Sequence, residues 1–183
     1  MLILRALPGK GCDLLATWSN QGMSPEPFLV TTARLTLVAP GSEVWRALLD
    51  GQSEPALEGY PTEGDLVMAR LVVDGYLAPG EWGPWQVIER ASGLLVGGVG
   101  FKGAPDDDGV VEIGYGLSPA ARGRGLATEA VTALVEHARS RGVRAVRAEV
   151  DAANEPSMRV LERTGFAQVE DSAGITWWRR DLR

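Results

Sequence analysis

Three strand-like runs stand so close together that they leave one way to pair. "WQVIER" (Trp85–Arg90), "LLVGGVGFKG" (Leu94–Gly103) and "VVEIGYGLS" (Val110–Ser118) are separated only by "ASG" and "APDDDG". Links this short and turn-rich join antiparallel neighbours, whereas a parallel pair needs a crossover of roughly a dozen residues or more. The third run passes through "SPAARGRG" into "GLATEAVTALVEHARSRG", which puts Leu126, Ala130, Leu134 and Ala138 on one helical face and Gly142 at its end. "RAVRAEVD" (Arg144–Asp151) reads as a strand. "NEPSMRVLERTG" (Asn154–Gly165) reads as a helix with Asn154 as its cap, Pro156 in the first turn and Gly165 as its stop. "FAQVED" and "ITWWRRDL" close as a strand pair. Upstream, "RLTLVA" (Arg34–Ala39) alternates like a strand. "PGSEVWRALLDG" predicts a short helix capped by Ser42, and Thr62–Ala78 predicts a second helix. Residues 1–27 show no period and predict a loosely ordered extension, leaving 28–183 as the folded domain. This order predicts an α+β fold: a single mixed, mostly antiparallel sheet of about seven strands with flanking helices.

Composition narrows the function classes. The chain has 183 residues, 45% apolar and 23% charged, as expected of one globular domain. No run reaches the roughly 18 apolar residues of a membrane span, and the N-terminus lacks the pattern of a signal peptide. Cys12 is the only cysteine and His137 the only histidine, so neither an internal disulfide nor a metal site is expected. These features predict a cytoplasmic protein that does not engage membranes. A net charge of −6 argues against nucleic acid as a partner. The charge is uneven: residues 1–117 carry −8, residues 118–150 carry +3 and residues 151–183 carry −1. An anionic ligand at the basic segment and a cationic one recruited by the rest would suit that distribution.

The basic segment begins at "SPAARGRGLATEAV", where a strand runs through a glycine turn into a helix N-terminus. Free N–H groups and a partial positive charge sit there, glycine lets a ligand approach the backbone, and Arg122 and Arg124 add charge. The turn has no lysine for a phosphate-loop pattern. The dinucleotide fingerprint fails because position 128 is Thr, and hairpin-linked strands do not build its βαβ unit.

Arg122-Gly123-Arg124-Gly125-Leu126-Ala127 instead resembles the Arg/Gln-x-x-Gly-x-Gly/Ala signature of the GNAT acetyltransferase superfamily. The resemblance extends over roughly residues 30–182 through "TARLTLVAP", "VEIGYGLSPAARGRGLATEAV" and "AEVDAANEPSMRVLERTGF", with much of its likeness to the ribosomal-protein N-terminal acetyltransferase branch. It implies acetyl-CoA as the cofactor, its pyrophosphate held by the backbone of Gly123, Arg124, Gly125, Leu126 and Ala127 with charge from Arg122 and Arg124. It also implies that the fold's fourth and fifth strands part like a V, with the acyl-pantetheine arm in the gap beside Ile113, Tyr115 and Leu117, and with Asn154 and Ser157 touching the arm. Gly114 and Gly116 suggest a bulge or a close backbone approach, the alternative being only a twisted, poorly filled strand.

The implied chemistry is attack of an amine on a thioester. The amine must lose a proton, and the leaving thiolate benefits from gaining one. Many relatives carry a Tyr seven residues after the Asn as the acid; here that position is Leu161. Ser157 is the candidate donor to sulfur, and Glu112 is the candidate base, with Tyr115 as a less favoured alternative. Alternation puts Glu112 and Gly114 on one side of the strand and Ile113 and Tyr115 on the other, leaving open which side meets the acyl group. His137 reads as a surface or packing residue. The acceptor pocket is expected between the two early helices and the last strand pair, with Trp45, Tyr76, Trp82, Trp85, Trp177 and Trp178 as candidates to line it. The expected activity is acetyl transfer to a primary amine of a small molecule or protein N-terminus, by direct attack in a ternary complex. The alternative is a domain that binds or senses acyl-CoA with little turnover. Exposed edges in this fold often pair, so a homodimer is one expected assembly.

Overall fold

The structure is a computed structural model that describes residues 27–52 and 55–182. The expected N-terminal extension therefore lies, apart from Pro27, outside the described residues. The described chain opens with strands β1 (Phe28–Thr31) and β2 (Leu35–Ala39) and helices α1 (Ser42–Leu49) and α2 (Glu63–Val73). The meander follows as β3 (Pro84–Glu89), β4 (Leu94–Phe101) and β5 (Val110–Leu117). A 3₁₀ turn over Pro119–Ala121 leads into α3 (Leu126–Ser140). The chain ends with β6 (Ala145–Asp151), α4 (Glu155–Arg163), β7 (Ala167–Ser172) and β8 (Ile175–Asp181). One eight-stranded sheet runs in the order β1-β2-β3-β4-β5-β6-β8-β7. Among the strand pairs of the described residues only β5–β6 is parallel, because α3 lies between those strands and supplies the crossover. The sheet has one strand more than expected: β1, the four residues "FLVT", is too short to show an alternating pattern.

Two helix boundaries differ from the sequence reading. Gly41, not Ser42, occupies the N-cap of α1, and no side chain caps that helix. The second helix stops at Val73 rather than Ala78, because Gly75 turns the chain at φ 81°. Its start is well built: Thr62 Oγ accepts the Asp65 N–H while Asp65 accepts the Thr62 N–H, a capping box. Asn154 caps α4 as expected, accepting the Ser157 N–H at 3.2 Å. No helix among the described residues is long and apolar enough to cross a membrane.

Helices cover the sheet unequally. Leu126, Ala130, Val131, Leu134 and Val135 of α3 pack with Val111, Ile113, Val146 and Ala148 of the sheet in the main core. On the opposite face α1 and α2 form a smaller cluster around Trp45, Leu48, Ala69 and Val72. The site depends on how β5 and β6 separate. Their pairing runs from Val110↔Ala145 to Ile113↔Ala148 and stops, although β5 continues to Leu117 and β6 to Asp151. On its other side β5 stays paired with β4 as far as Leu117. The expected splay of the fold's fourth and fifth strands is thus found at β5 and β6. The β4–β5 register is unbroken across Gly114 and Gly116, so neither glycine marks a bulge.

Candidate active site

The turn before α3 is built to expose amides. Gly123 and Gly125 both adopt left-handed backbone, φ 73° and 76°, and Gly125 is the N-cap. Leu126 and Ala127 lie in the first helical turn, where no intrahelical acceptor exists, and no side chain caps the helix. Among the described residues, the N–H groups of Gly123, Arg124 and Gly125 also find no acceptor. A Cβ at Gly123 would meet nothing within 4 Å, so the space over the turn is open. The arginines are oriented by the fold: Arg122 Nε donates to the Leu117 carbonyl at 3.0 Å, and Arg124 pairs with Glu89.

Arg34 and Glu129 lock this turn, and nothing in the sequence marks them for it. Arg34 Nη1 donates to the Arg124 carbonyl at 2.8 Å and its Nε to Glu129 at 2.6 Å. Glu129 also accepts the Thr32 hydroxyl at 2.6 Å and the Arg34 N–H at 2.8 Å. Burial alone would raise the Glu129 carboxyl, but these donors and the Arg34 charge outweigh it and hold the carboxyl below the ordinary glutamate range. The only signal in the sequence was an acid in the first helical turn, which reads equally well as a dipole partner.

At the splay, Ile113, Tyr115 and Leu117 point to the α3–α4 side, and Tyr115 spans the gap. Its hydroxyl donates to the Ser157 carbonyl at 2.9 Å, tying the end of β5 to the start of α4. Burial pushes the Tyr115 phenol up to about 12, so it holds its proton at neutral pH. Ser157 is half-buried at the first turn of α4 beside its cap Asn154. Leu161, at the position of the missing tyrosine, is fully buried in the core. Glu112 lies on the opposite face, with Gly114 and Gly116. Lys102 Nζ reaches one of its carboxylate oxygens at 2.5 Å and Arg147 Nε the other at 3.1 Å. Both oxygens of this candidate base are therefore engaged by cations.

A cavity of about 220 Å³ opens on that same face. Trp45, Thr62, Asp65 and Met68 wall it from the helices, and Gly98, Gly100, Gly114 and Gly116 lie along the sheet beneath. The glycines sit in cross-strand pairs, Gly98↔Gly116 and Gly100↔Gly114. Cβ atoms at Gly114 and Gly116 would meet only ordinary contacts, 3.8 Å to Lys102 Cε and 3.7 Å to Thr62 Oγ1. Packing does not require glycine there; its absence of side chain makes the room. Asp65, at 6% exposure, is the buried carboxylate of this wall, and nothing in the sequence separated it from any first-turn acid.

Of the aromatic residues expected around an acceptor, Trp45 walls the cavity, while Trp85 borders it from β3 but packs its ring in the main core. Trp82 packs on Phe101, Trp177 lies under Arg147, and Trp178 is buried in the main core. Tyr76 is 80% exposed. His137 packs beside Trp85 with Nε2 2.9 Å from Glu81, and burial lowers its pKa.

Comparison with known proteins gives a consistent result. A family model described as an acetyltransferase (GNAT) domain matches residues 34–167. An uncharacterized N-acetyltransferase, p20, of Bacillus licheniformis is 30% identical over 142 residues, spanning 74% of this chain and 80% of that protein. Another, YjdG of Bacillus subtilis (strain 168), is 34% identical over 95 residues; the match covers 51% of this chain and only 56% of YjdG. Among solved structures, a ribosomal L7/L12 alpha-N-protein acetyltransferase in complex with coenzyme A superposes with a TM-score of 0.57 at 18% identity, covering 85% of this chain and 98% of that one.

Proposed function

We propose a donor, an acceptor and a mechanism for this chain, which belongs to the GNAT acetyltransferase family and is an N-acetyltransferase. The donor is acetyl-CoA and the acceptor a primary amine, joined by direct attack in a ternary complex. The observation that carries this reading is the parting of β5 from β6 after Ile113 and Ala148, next to a turn with unpartnered amides.

The residues fit such a donor. The amides of Gly123, Arg124, Gly125, Leu126 and Ala127 suit a pyrophosphate, with Arg122 and Arg124 adding charge. The unpaired edge of β5 at Tyr115 and Leu117, with Ile113 at its root, offers backbone groups to an extended amide-bearing arm, and Asn154 stands opposite. The bound thioester supplies the acetyl carbon: a C–N bond forms, the C–S bond breaks, and sulfur leaves with the electron pair. Ser157 provides the hydroxyl beside the departing sulfur. Tyr115 holds the start of α4 in place through the Ser157 carbonyl. Glu112 stays between Lys102 and Arg147, and its pairing with Lys102 holds that cation at the cavity wall. The single cysteine suits the cytoplasm as its location.

Calorimetric titration with CoA tests the donor site. Gly125→Glu places a side chain and a negative charge where the pyrophosphate binds and is expected to abolish CoA binding, with circular dichroism confirming the fold. Unchanged affinity in a folded Gly125→Glu variant would sink the assignment. Tight CoA binding without thiol release over a broad amine and peptide panel would favour the binding or sensing role, a reading kept in view by buried Leu161 at the usual acid position.

A further inference from the structure

Asp65 has a feature that the transfer reaction as described leaves unused. Its Oδ2 accepts the Thr62 N–H at 2.8 Å and the Thr62 hydroxyl at 2.7 Å. Its Oδ1 has no hydrogen-bond donor among the described residues and stands over Gly98, where a Cβ would come within 2.5 Å of it. Lys102, the cation of the same cavity wall, is committed to Glu112. A carboxylate buried to this degree without a counter-ion is destabilising, so its environment favours a cation brought from outside. The rest of the wall is chiefly apolar, from Trp45, Met68 and the glycine-lined sheet.

We infer that the cavity takes one compact, apolar primary amine as its ammonium, with Asp65 first as counter-ion and then as acceptor of the proton the amine must lose. The inference rests on the acetyl-transfer reading above and names its acceptor class. Position supports it: Asp65 stands over Gly98, whose cross-strand partner Gly116 lies in the segment of β5 that has parted from β6. The Thr62 hydroxyl, donating to Asp65, lies 3.7 Å from where a Gly116 Cβ would be. Size supports it too: at about 220 Å³ the cavity is smaller than the about 300–1,000 Å³ usual for larger ligands, and holds a ring or branched alkyl group rather than a peptide. A polyamine is disfavoured because its second ammonium would meet Lys102. In the proton balance, the ammonium gives one proton to Asp65 Oδ1, which later releases it to solvent. The nitrogen's second proton leaves with sulfur as the amide forms. Burial raises the Asp65 pKa above the ordinary aspartate range, which strengthens it as a proton acceptor.

The test is calorimetry on the full chain without cofactor, using benzylamine, its neutral counterpart benzyl alcohol, spermidine and a tripeptide with a free N-terminus. Benzylamine is expected to bind at least about tenfold more tightly than the alcohol, the margin of one charged hydrogen bond. Asp65→Asn should bring benzylamine down to the level of the alcohol while leaving CoA affinity unchanged. Gly116→Val, which fills the cavity without touching the carboxylate, should weaken both ring compounds. The inference is overturned if spermidine or the tripeptide binds more tightly than benzylamine, or if folded Asp65→Asn binds benzylamine as the parent does. Thiol release from acetyl-CoA separates the two readings. Asp65-dependent benzylamine binding without release leaves the site inference standing and removes the transferase reading. Release driven by spermidine or the peptide, with no benzylamine binding, does the reverse.

Discussion

Asp65 shows how one residue can weaken a fold and suit the role proposed for it. Desolvation is the largest influence on it and raises its pKa; the two Thr62 hydrogen bonds act against that shift without cancelling it. An acid whose folded pKa is raised loses stability as pH rises from the unfolded value, about 3.9, through the folded one, and above that the whole penalty is present. Asp65→Asn keeps an oxygen for the Thr62 N–H and removes the buried charge. The variant should therefore melt at a higher temperature than the parent at pH 7, with the difference vanishing near pH 3. Equal melting temperatures at both pH values would show that the charge is not under strain. At Tyr115 the same desolvation acts on a phenol, and the result is a group that keeps its proton and serves as a tether between β5 and α4.

Among the elements, β4 and β5 make the room for the cavity. Their cross-strand glycines remove four side chains from one face while the opposite face keeps Val99, Phe101 and Ile113 in the core. The sequence marked Gly114 and Gly116 as unusual but left bulge and close approach undecided. The continuous register removes the bulge, and the space over both positions is open. Gly114→Val suits a strand, and its Cβ would find ordinary contacts, so melting should change by less than about 1 kcal/mol. Acceptor KM should nonetheless rise about tenfold or more as the new methyls enter the cavity. Steady-state kinetics beside a thermal melt read both quantities. The turn ahead of α3 was the most legible element, because its purpose is local: two glycines and a helix start are enough to bare the amides. Its bracing by Arg34, Glu89 and Glu129 was not legible, since those residues come from the β1–β2 turn, a strand and a helix brought together by the sheet.

The whole molecule has two apolar clusters with separate duties. The main core runs beneath α3 and α4, while Trp45, Leu48, Ala69 and Val72 hold α1 and α2 over the cavity. Leu134 and Leu48 are 0% and 4% exposed, so truncating either to Ala should cost about 2–5 kcal/mol if each cluster is part of one cooperative fold. Denaturant titration should show both losses as single transitions. Under native conditions Leu48→Ala should weaken amine binding and leave CoA affinity intact, because α1 and α2 contribute nothing to the turn at Gly123–Gly125.

What the sequence determined by itself was the set of features that depend on near neighbours along the chain. Short links forced the β3–β4–β5 hairpins, helical spacing produced α3, and the Arg-Gly-Arg-Gly turn specified bared amides and, through resemblance, the family. What only the tertiary structure decided were the features that depend on residues meeting across the sheet. These include the ion pairs that hold Glu112, the bracing of the turn by Arg34, and the unpartnered oxygen of Asp65 over Gly98. The reason is physical: a turn or cap is stabilised by groups a few residues apart, whereas burial and charge pairing exist only after distant strands have been brought into register.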